Sequence, residues 1–309
     1  MISKRLRADL ALAFCSLIWG STFVVVKDAL ADVSVFAYIA VRFTLAAALM
    51  AILYWRSLRQ LDGRTVWAGV QIGFFMLGGY VFQTAGLKFT TPSKAAFITG
   101  SSVVLVPVLL AAFGRRRVNA WIWIGALAAL VGLYCLTVPA EGLGGFNRGD
   151  PLVFVCSVMF ALHIIFIGRY VGRSSVGSLA FLQVATTAVA SAVLLSVFAT
   201  MGWEHPRIHW TGHLLFAVLI TAIGSTVIGF SLQVWAQQHT SPSHTALLIS
   251  LEPVFAALTS WLFVHERLGP RILLGAVLIL AGILLAELKG PAPAVPESPE
   301  PFARPVARE

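Results

Sequence analysis

The chain has 309 residues, of which 58% are hydrophobic and only 11% are charged, whereas about 25% of the residues in an ordinary soluble domain are charged. This composition excludes a soluble globular protein. The 22 Lys and Arg residues outnumber the 13 Asp and Glu residues, but the stretches between them are too apolar to form a basic face for nucleic acid. The excess positive charge is instead typical of the cytoplasmic loops of membrane proteins.

Ten segments are apolar and long enough to cross a bilayer as α-helices, which takes about 20 residues each. A polar turn that contains a proline, 237–244, separates the eighth segment from the ninth. The three cysteines lie within apolar segments and lack CxxC spacing, so we predict no disulfide, metal site or cofactor. The predicted spans are 10–26, 33–55, 65–87, 95–114, 118–140, 151–168, 174–203, 208–236, 245–264 and 271–288.

The second half of the chain repeats the first. Residues 79–133 align with 229–283 at a constant offset of 150, and fourteen of these 55 positions are identical. A motif near the start of each half also recurs at the same spacing, since Asp9, Cys15 and Ser16 correspond to Asp150, Cys156 and Ser157. Because the first segment has this counterpart, we interpret it as a retained span rather than a cleaved signal peptide.

We therefore predict an all-α membrane protein with two five-helix repeats, 1–140 and 148–289. Residues 290–309 hold six prolines among small and charged residues and are predicted to form a disordered tail. Because five is an odd number, the second repeat enters the membrane from the side opposite to the first. Such an inverted repeat is characteristic of secondary transporters.

Basic residues orient the first repeat. Nine of them are predicted on one side of the membrane and three on the other, and cytoplasmic loops carry the excess of Lys and Arg. Both termini are therefore predicted to be cytoplasmic. The nine residues are Lys4, Arg5, Arg7, Arg56, Arg59, Arg64, Arg115, Arg116 and Arg117, and the three are Lys27, Lys88 and Lys94.

Three groups of motifs resemble the EamA-type permeases of the drug/metabolite transporter superfamily. They are Trp19-Gly20-Ser21-Thr22-Phe23, Arg42-Phe43, and Leu251-Glu252-Pro253-Val254 followed by Glu266-Arg267-Leu268. The resemblance covers about residues 8–288. It implies a transporter in the bacterial inner membrane that exports small metabolites, often amino acids or related amphipathic compounds, without ATP.

Two ionisable residues lie deep within predicted spans, where each costs roughly 2.5–3.5 kcal/mol on insertion scales. Arg42 and Glu252 are each about eight residues into a span, or about 12 Å, which places both near the midplane. We expect them to contact substrate, since such groups persist where they face a cavity or a partner. The alternative is a buried ion pair that only fixes helix packing. Pro253 favours substrate contact at Glu252, because a proline frees a carbonyl one turn back.

Four more residues near the midplane are candidates for substrate binding. Trp19 suggests a cavity wall, because Trp is ordinarily found at the membrane interface, and Gly20 permits a close approach beside Ser21. His163 can hydrogen-bond a substrate or carry a proton. Helix packing is the alternative interpretation for each of these residues.

Gln83 and Gln233 occupy equivalent positions in the two repeats, towards opposite faces of the membrane. This placement suits a pair of gates, and interhelical hydrogen bonding is the alternative. The predicted carrier alternates access by rocking one repeat against the other. Its energy would come from the proton gradient or from the gradient of the substrate.

Two other classes of function were weighed. No nucleotide-binding, zinc-protease or serine-hydrolase motif is present in the sequence, so we do not predict an enzyme. An exchanger of phosphorylated or nucleotide-linked sugars would need several deep basic residues, and a non-transporting scaffold gives no reason for two midplane charges. The predicted partners are a small-molecule substrate and the lipid bilayer, with monomer or homodimer left open.

Overall fold

The computed structural model describes residues 3–114, 118–138, 142–143, 145–259, 261–262 and 269–289. Nearly all of these residues are helical, and an isolated β-bridge joins Val33 to Ile208. The prediction of an all-α membrane protein is confirmed. The predicted tail, the Arg115-Arg116-Arg117 loop and Glu266-Arg267-Leu268 lie outside the described residues.

The described helices form ten consecutive elements, here called spans 1 to 10. Nine of them are long and apolar enough to cross a membrane within the described residues, while span 9 is divided there into two helices of eight residues each. The spans are span 1 (Lys4–Gly20 and Thr22–Ala29), span 2 (Val35–Leu53), span 3 (Gly63–Leu87), span 4 (Pro92–Gly100 and Ser102–Gly114), span 5 (Ala120–Thr137), span 6 (Gly149–Tyr170), span 7 (Val176–Thr200), span 8 (Gly212–Ala236), span 9 (Pro242–Ile249 and Glu252–Thr259) and span 10 (Pro270–Lys289).

Spans 4 and 9 are broken at equivalent places. In each break a serine hydroxyl donates to the carbonyl three residues back, from Ser101 to Ile98 and from Ser250 to Leu247, both at 2.6 Å. Such bonds compete with the helical ladder and bend helices. In span 9 Pro253 also lacks the N–H that would continue the ladder. The sequence predicted ten spans with a bend at Pro253 in the ninth, and a tenth continuous crossing is not confirmed among the described residues.

Spans 5 and 10 pack through two pairs of glycines that reveal the symmetry of the fold. A methyl group placed on Gly125 would lie 2.6 Å from the carbonyl oxygen of Gly282, and one on Gly132 would lie 2.6 Å from that of Gly275. At the offset of 150, Gly125 corresponds to Gly275 and Gly132 to Gly282, so each contact is the copy of the other. The two helices are antiparallel, because the partner number falls as the residue number rises. A pseudo-two-fold axis therefore lies across the helices, as an inverted repeat requires.

The same axis relates two helix contacts elsewhere in the fold. Gly229 of span 8 packs against the indole of Trp19, and Gly79 of span 3 packs against the ring of Phe160. Trp19 corresponds to Phe160 at the offset of 141 that relates span 1 to span 6. These contacts confirm that the two repeats are inverted copies.

Equivalent ion pairs lie at the two ends of the fold. Lys94 pairs with Asp150 at 2.6 Å, and the corresponding residues, His244 and Asp9, lie 3.2 Å apart. We call these the Asp150 end and the Asp9 end. Lys94, at the start of span 4, thus contacts the second repeat, and His244, at the start of span 9, contacts the first repeat. The two repeats are therefore joined at both ends.

Candidate functional site: the central cavity

A cavity of about 90 Å³ lies between the repeats, lined by spans 1, 2, 3, 4, 6, 8 and 9. One buried water needs about 10–15 Å³ of such space, so the cavity has room for several waters or a small metabolite. Seven of the nine predicted site residues line it, namely Trp19, Arg42, Gln83, His163, Gln233, Glu252 and Pro253.

The other two predicted residues, Gly20 and Ser21, do not line the cavity. A methyl group on Gly20 would collide with the backbone carbonyl of Glu252, so Gly20 instead lets span 1 touch the break in span 9. Ser21 is exposed, and its hydroxyl donates to the carbonyl of Ile18 at 2.8 Å. The next residue, Thr22, faces the cavity instead, because adjacent helical positions point in different directions.

Arg42 is held by neutral groups. Its Nε donates to the hydroxyl of Thr226 at 3.1 Å, and a terminal nitrogen donates to the hydroxyl of Tyr80 at 3.3 Å. The guanidinium carbon also lies 4.6 Å from the centre of the Tyr80 ring, a cation–π contact. The side chain is 3% exposed. Arg42 is therefore a buried cation whose described neighbours orient it without neutralising its charge.

Glu252 begins the second helix of span 9 and faces the same cavity. Among the described residues, no hydrogen bond or ion pair to its carboxylate is found. Arg42 and Glu252 are thus two separate ionisable groups on the cavity wall, rather than the buried ion pair considered from the sequence. A buried carboxylate without a partner is costly, so the position of Glu252 suits contact with a proton or a cationic ligand.

Four aromatic rings form the centre of the cavity wall, and they straddle the pseudo-two-fold axis. The ring centroids of Trp19 and Phe230 are 5.3 Å apart, as are those of their counterparts Phe160 and Tyr80. Tyr80 and Phe230, which correspond to each other, are 6.2 Å apart. The sequence analysis missed Tyr80, Phe160 and Phe230. Their signal was present, because positions 80 and 230 in the aligned repeats are both aromatic.

His163 is 1% exposed, and its Nε2 lies 2.7 Å from the side-chain oxygen of Gln183. Gln183 corresponds to Arg42 in the other repeat, and His163 corresponds to Thr22. The four aromatic positions and the Gln83–Gln233 pair are therefore alike in both repeats, while Arg42 and His163 have different counterparts. The chemistry of the cavity is asymmetric on a symmetric scaffold.

The cavity also extends unequally towards the two ends of the fold. Val26 and Leu87 line it towards the Asp150 end, whereas their counterparts Ile167 and Gln237 are fully buried and do not line it. The Gln237 amide instead donates to the carbonyl of Ile164 at 2.9 Å, which joins spans 8 and 6. The cavity lining therefore reaches further towards the Asp150 end, although all four of these side chains are buried.

One group of potential metal ligands lies at the Asp9 end. Asp9, His244 and Glu287 offer atoms within 4.8 Å of one another. The guanidinium of Arg5, however, pairs with Glu287 in the same group. This cation already compensates the carboxylates, so the geometry fits an ion-pair network.

Residues 6–138 and 147–288 each match the model described as the EamA-like transporter family. Over 291 residues the chain is 39% identical to an uncharacterized transporter of Archaeoglobus fulgidus, with 93% of this chain and 87% of that protein covered. It is 22% identical over 283 residues to the uncharacterized transporter YoaV of Bacillus subtilis, with 87% and 93% covered. A crystal structure at 21% identity matches its fold with a TM-score of 0.75 over 92% of this chain and 97% of that one.

Proposed function

Because the chain belongs to the EamA-like transporter family, we propose that it is a secondary carrier that exports small zwitterionic metabolites, such as amino acids, from a bacterial cell. The observation that carries this proposal is the presence of two separate ionisable groups, the guanidinium of Arg42 and the carboxyl of Glu252, in one aromatic-walled cavity. A guanidinium suits a carboxylate ligand, and a carboxylate suits an ammonium group. The aromatic rings supply apolar surface for the remainder of the molecule.

Alternating access is supported by the unequal reach of the cavity towards the two ends, which we interpret as closure at the Asp9 end. The scaffold is symmetric, so an equivalent arrangement with the closure exchanged between the ends has the same helix contacts available. In this structure the closed end is held by Gln237 and Ile164. Exchange of the two arrangements would carry the cavity from one face of the membrane to the other.

Transport in proteoliposomes tests the substrate class. We expect saturable flux of one or more of a panel of radiolabelled amino acids, with no flux in protein-free liposomes. Flux of a labelled hexose phosphate in place of amino acids would favour the phosphorylated-sugar alternative. Arg42 is the one basic side chain among the described residues that line the cavity, and a phosphate group would need more. Absence of flux for every compound would favour the scaffold.

The topology of the chain can be tested as well. Both termini are proposed to be cytoplasmic, and the membrane is proposed to be a bacterial inner membrane. Reporter fusions should place Leu143 and Gly269 in the periplasm, and Arg116 and the C-terminal tail in the cytoplasm. The basis is the excess of basic residues on one side of the first repeat. A periplasmic Arg116 together with a cytoplasmic Gly269 would mean that the protein lies in the membrane in the opposite orientation to the one proposed.

A further inference from the structure

Span 8 departs from its counterpart by one residue. Spans 3 and 8 begin alike, with a capping residue followed by Gly63 in one and Gly212 in the other. Sixteen positions then separate Gly63 from Gly79, whereas seventeen separate Gly212 from the equivalent Gly229. Span 8 is therefore one residue longer over this stretch.

The extra residue lies where span 8 changes its winding. Ile220–Ile228 is a π-helix, while span 3 is α-helical over its full length. A π-helix bonds each N–H to the carbonyl five residues back instead of four, so one residue more is accommodated per turn. The Thr226 hydroxyl likewise donates to the Thr221 carbonyl, five residues back, at 2.9 Å. The wider turn of the π-helix thus takes up the one extra residue of span 8.

Three residues of the cavity region depend on groups that the π-helix presents. Arg42 donates to the hydroxyl of Thr226. The indole of Trp19 donates to the carbonyl of Ser225 at 2.9 Å. In a regular α-helix that carbonyl would accept the Gly229 N–H, four residues along, whereas here the Gly229 N–H donates to the carbonyls of Gly224 and Thr226.

Tyr38 completes the set, because its hydroxyl lies 2.9 Å from that of Thr221. Thr221, Ser225 and Thr226 are all fully buried. The π-helix therefore forms hydrogen bonds with residues of both span 1 and span 2.

We propose that the extra residue in span 8 creates the π-helix and that Thr226 and Ser225 are positioning residues, which aim Arg42 and Trp19 into the cavity. The inference rests on the proposed function in one respect, namely that Arg42 and Trp19 contact the substrate. Span 3 lacks the insertion, and the counterpart of Arg42 is the uncharged Gln183. The second repeat thus has a wide turn where the first repeat presents its cation.

Chemical modification of Arg42 tests the proposal without a known substrate. The purified protein in detergent is treated with phenylglyoxal, which reacts with guanidinium groups, and the Arg42 peptide is followed by mass spectrometry. In Thr226→Val the guanidinium loses a hydrogen bond, and we expect its modification to be about tenfold faster. Thr226→Ser keeps the hydroxyl and should react at the wild-type rate.

The matched control is Thr187→Val. Thr187 is also fully buried, but its hydroxyl donates to the carbonyl of Gly73, away from Arg42. Equal rates for wild type and Thr226→Val would overturn the proposal, as would the same acceleration in Thr187→Val. Where an amino acid is transported, Thr226→Val should raise its KM about tenfold with little change in maximal rate. If Thr226→Val accelerates the modification of Arg42 but the protein transports no amino acid, the proposed function is refuted and the positioning role of Thr226 stands.

Deletion of Ile223 tests the origin of the π-helix. Its side chain is 43% exposed on the outside of the fold, and its loss would give span 8 the length of span 3. We expect a folded, monodisperse protein in which Arg42 reacts as fast as in Thr226→Val. Arg42 that reacts at the wild-type rate, or a deletion variant that does not fold, would contradict the link between the extra residue and the wide turn.

Discussion

Replacement of Glu252 by glutamine is expected to abolish the accumulation of substrate driven by a pH gradient, while exchange of internal for external substrate continues. Glu252 faces the cavity, and no described residue neutralises its carboxylate. A group that takes up and releases a proton during the cycle needs this freedom. Glutamine keeps the shape and the hydrogen-bonding capacity but cannot change its charge, so the coupling step is lost and the rocking motion is kept.

The measurement compares gradient-driven uptake and counterflow in proteoliposomes that contain equal amounts of each variant. Glu204→Gln is the control, because Glu204 lies outside the cavity and accepts one hydrogen bond from the Phe36 N–H, which glutamine can also accept. It should behave as wild type in both assays. Full pH-driven accumulation by Glu252→Gln would eliminate the coupling role.

A double variant separates this role from helix packing. If Arg42 and Glu252 stabilised the fold as an ion pair, Arg42→Met with Glu252→Gln would restore what either single change removes. The two side chains form no ion pair in this structure, and Arg42 is instead held by Thr226 and Tyr80. We therefore expect no rescue in the double variant.

The sequence was sufficient to predict most of the helical architecture, because apolar length and the repeat each have a direct physical cause. The glycines at 125, 132, 275 and 282 recur in both repeats since two backbones touch there and no side chain fits. A contact of this kind restricts the residue type to glycine, so it is visible in the sequence. The inverted repeat could accordingly be read from identities at a fixed offset.

Features that depend on local winding could not be predicted in the same way. The break in span 4 and the π-helix in span 8 lie inside apolar runs, where an amphipathic pattern is weak because lipid and neighbouring helices are both apolar. The bend in span 9, in contrast, could be predicted from Pro253. The separation of Arg42 from Glu252 depends on tertiary contacts with Thr226 and Tyr80. The sequence placed both charges at one depth, and depth does not determine whether two side chains meet.

Gly20→Ala is expected to destabilise the protein by about 1–3 kcal/mol, the usual cost of overpacking, and to reduce transport more than tenfold. The added methyl group would collide with the backbone carbonyl of Glu252, and a backbone atom cannot rotate away as a side chain can. Spans 1 and 9 must then separate at the point where Glu252 enters the cavity. Alanine favours a helix more than glycine does, so any loss of stability comes from this contact.

Gly78→Ala is the matched control for Gly20→Ala. Gly78→Ala makes the same change within span 3, where the new methyl group would meet only the flexible side chain of Met159, from 3.0 Å. The equivalent of Gly20 in the second repeat is Ala161, so the fold accepts alanine at this position in the other repeat. Thermal unfolding in detergent and flux in proteoliposomes should therefore change little for Gly78→Ala and strongly for Gly20→Ala. Wild-type behaviour of Gly20→Ala in both assays would show that spans 1 and 9 part without cost, and that their contact does not set the position of Glu252.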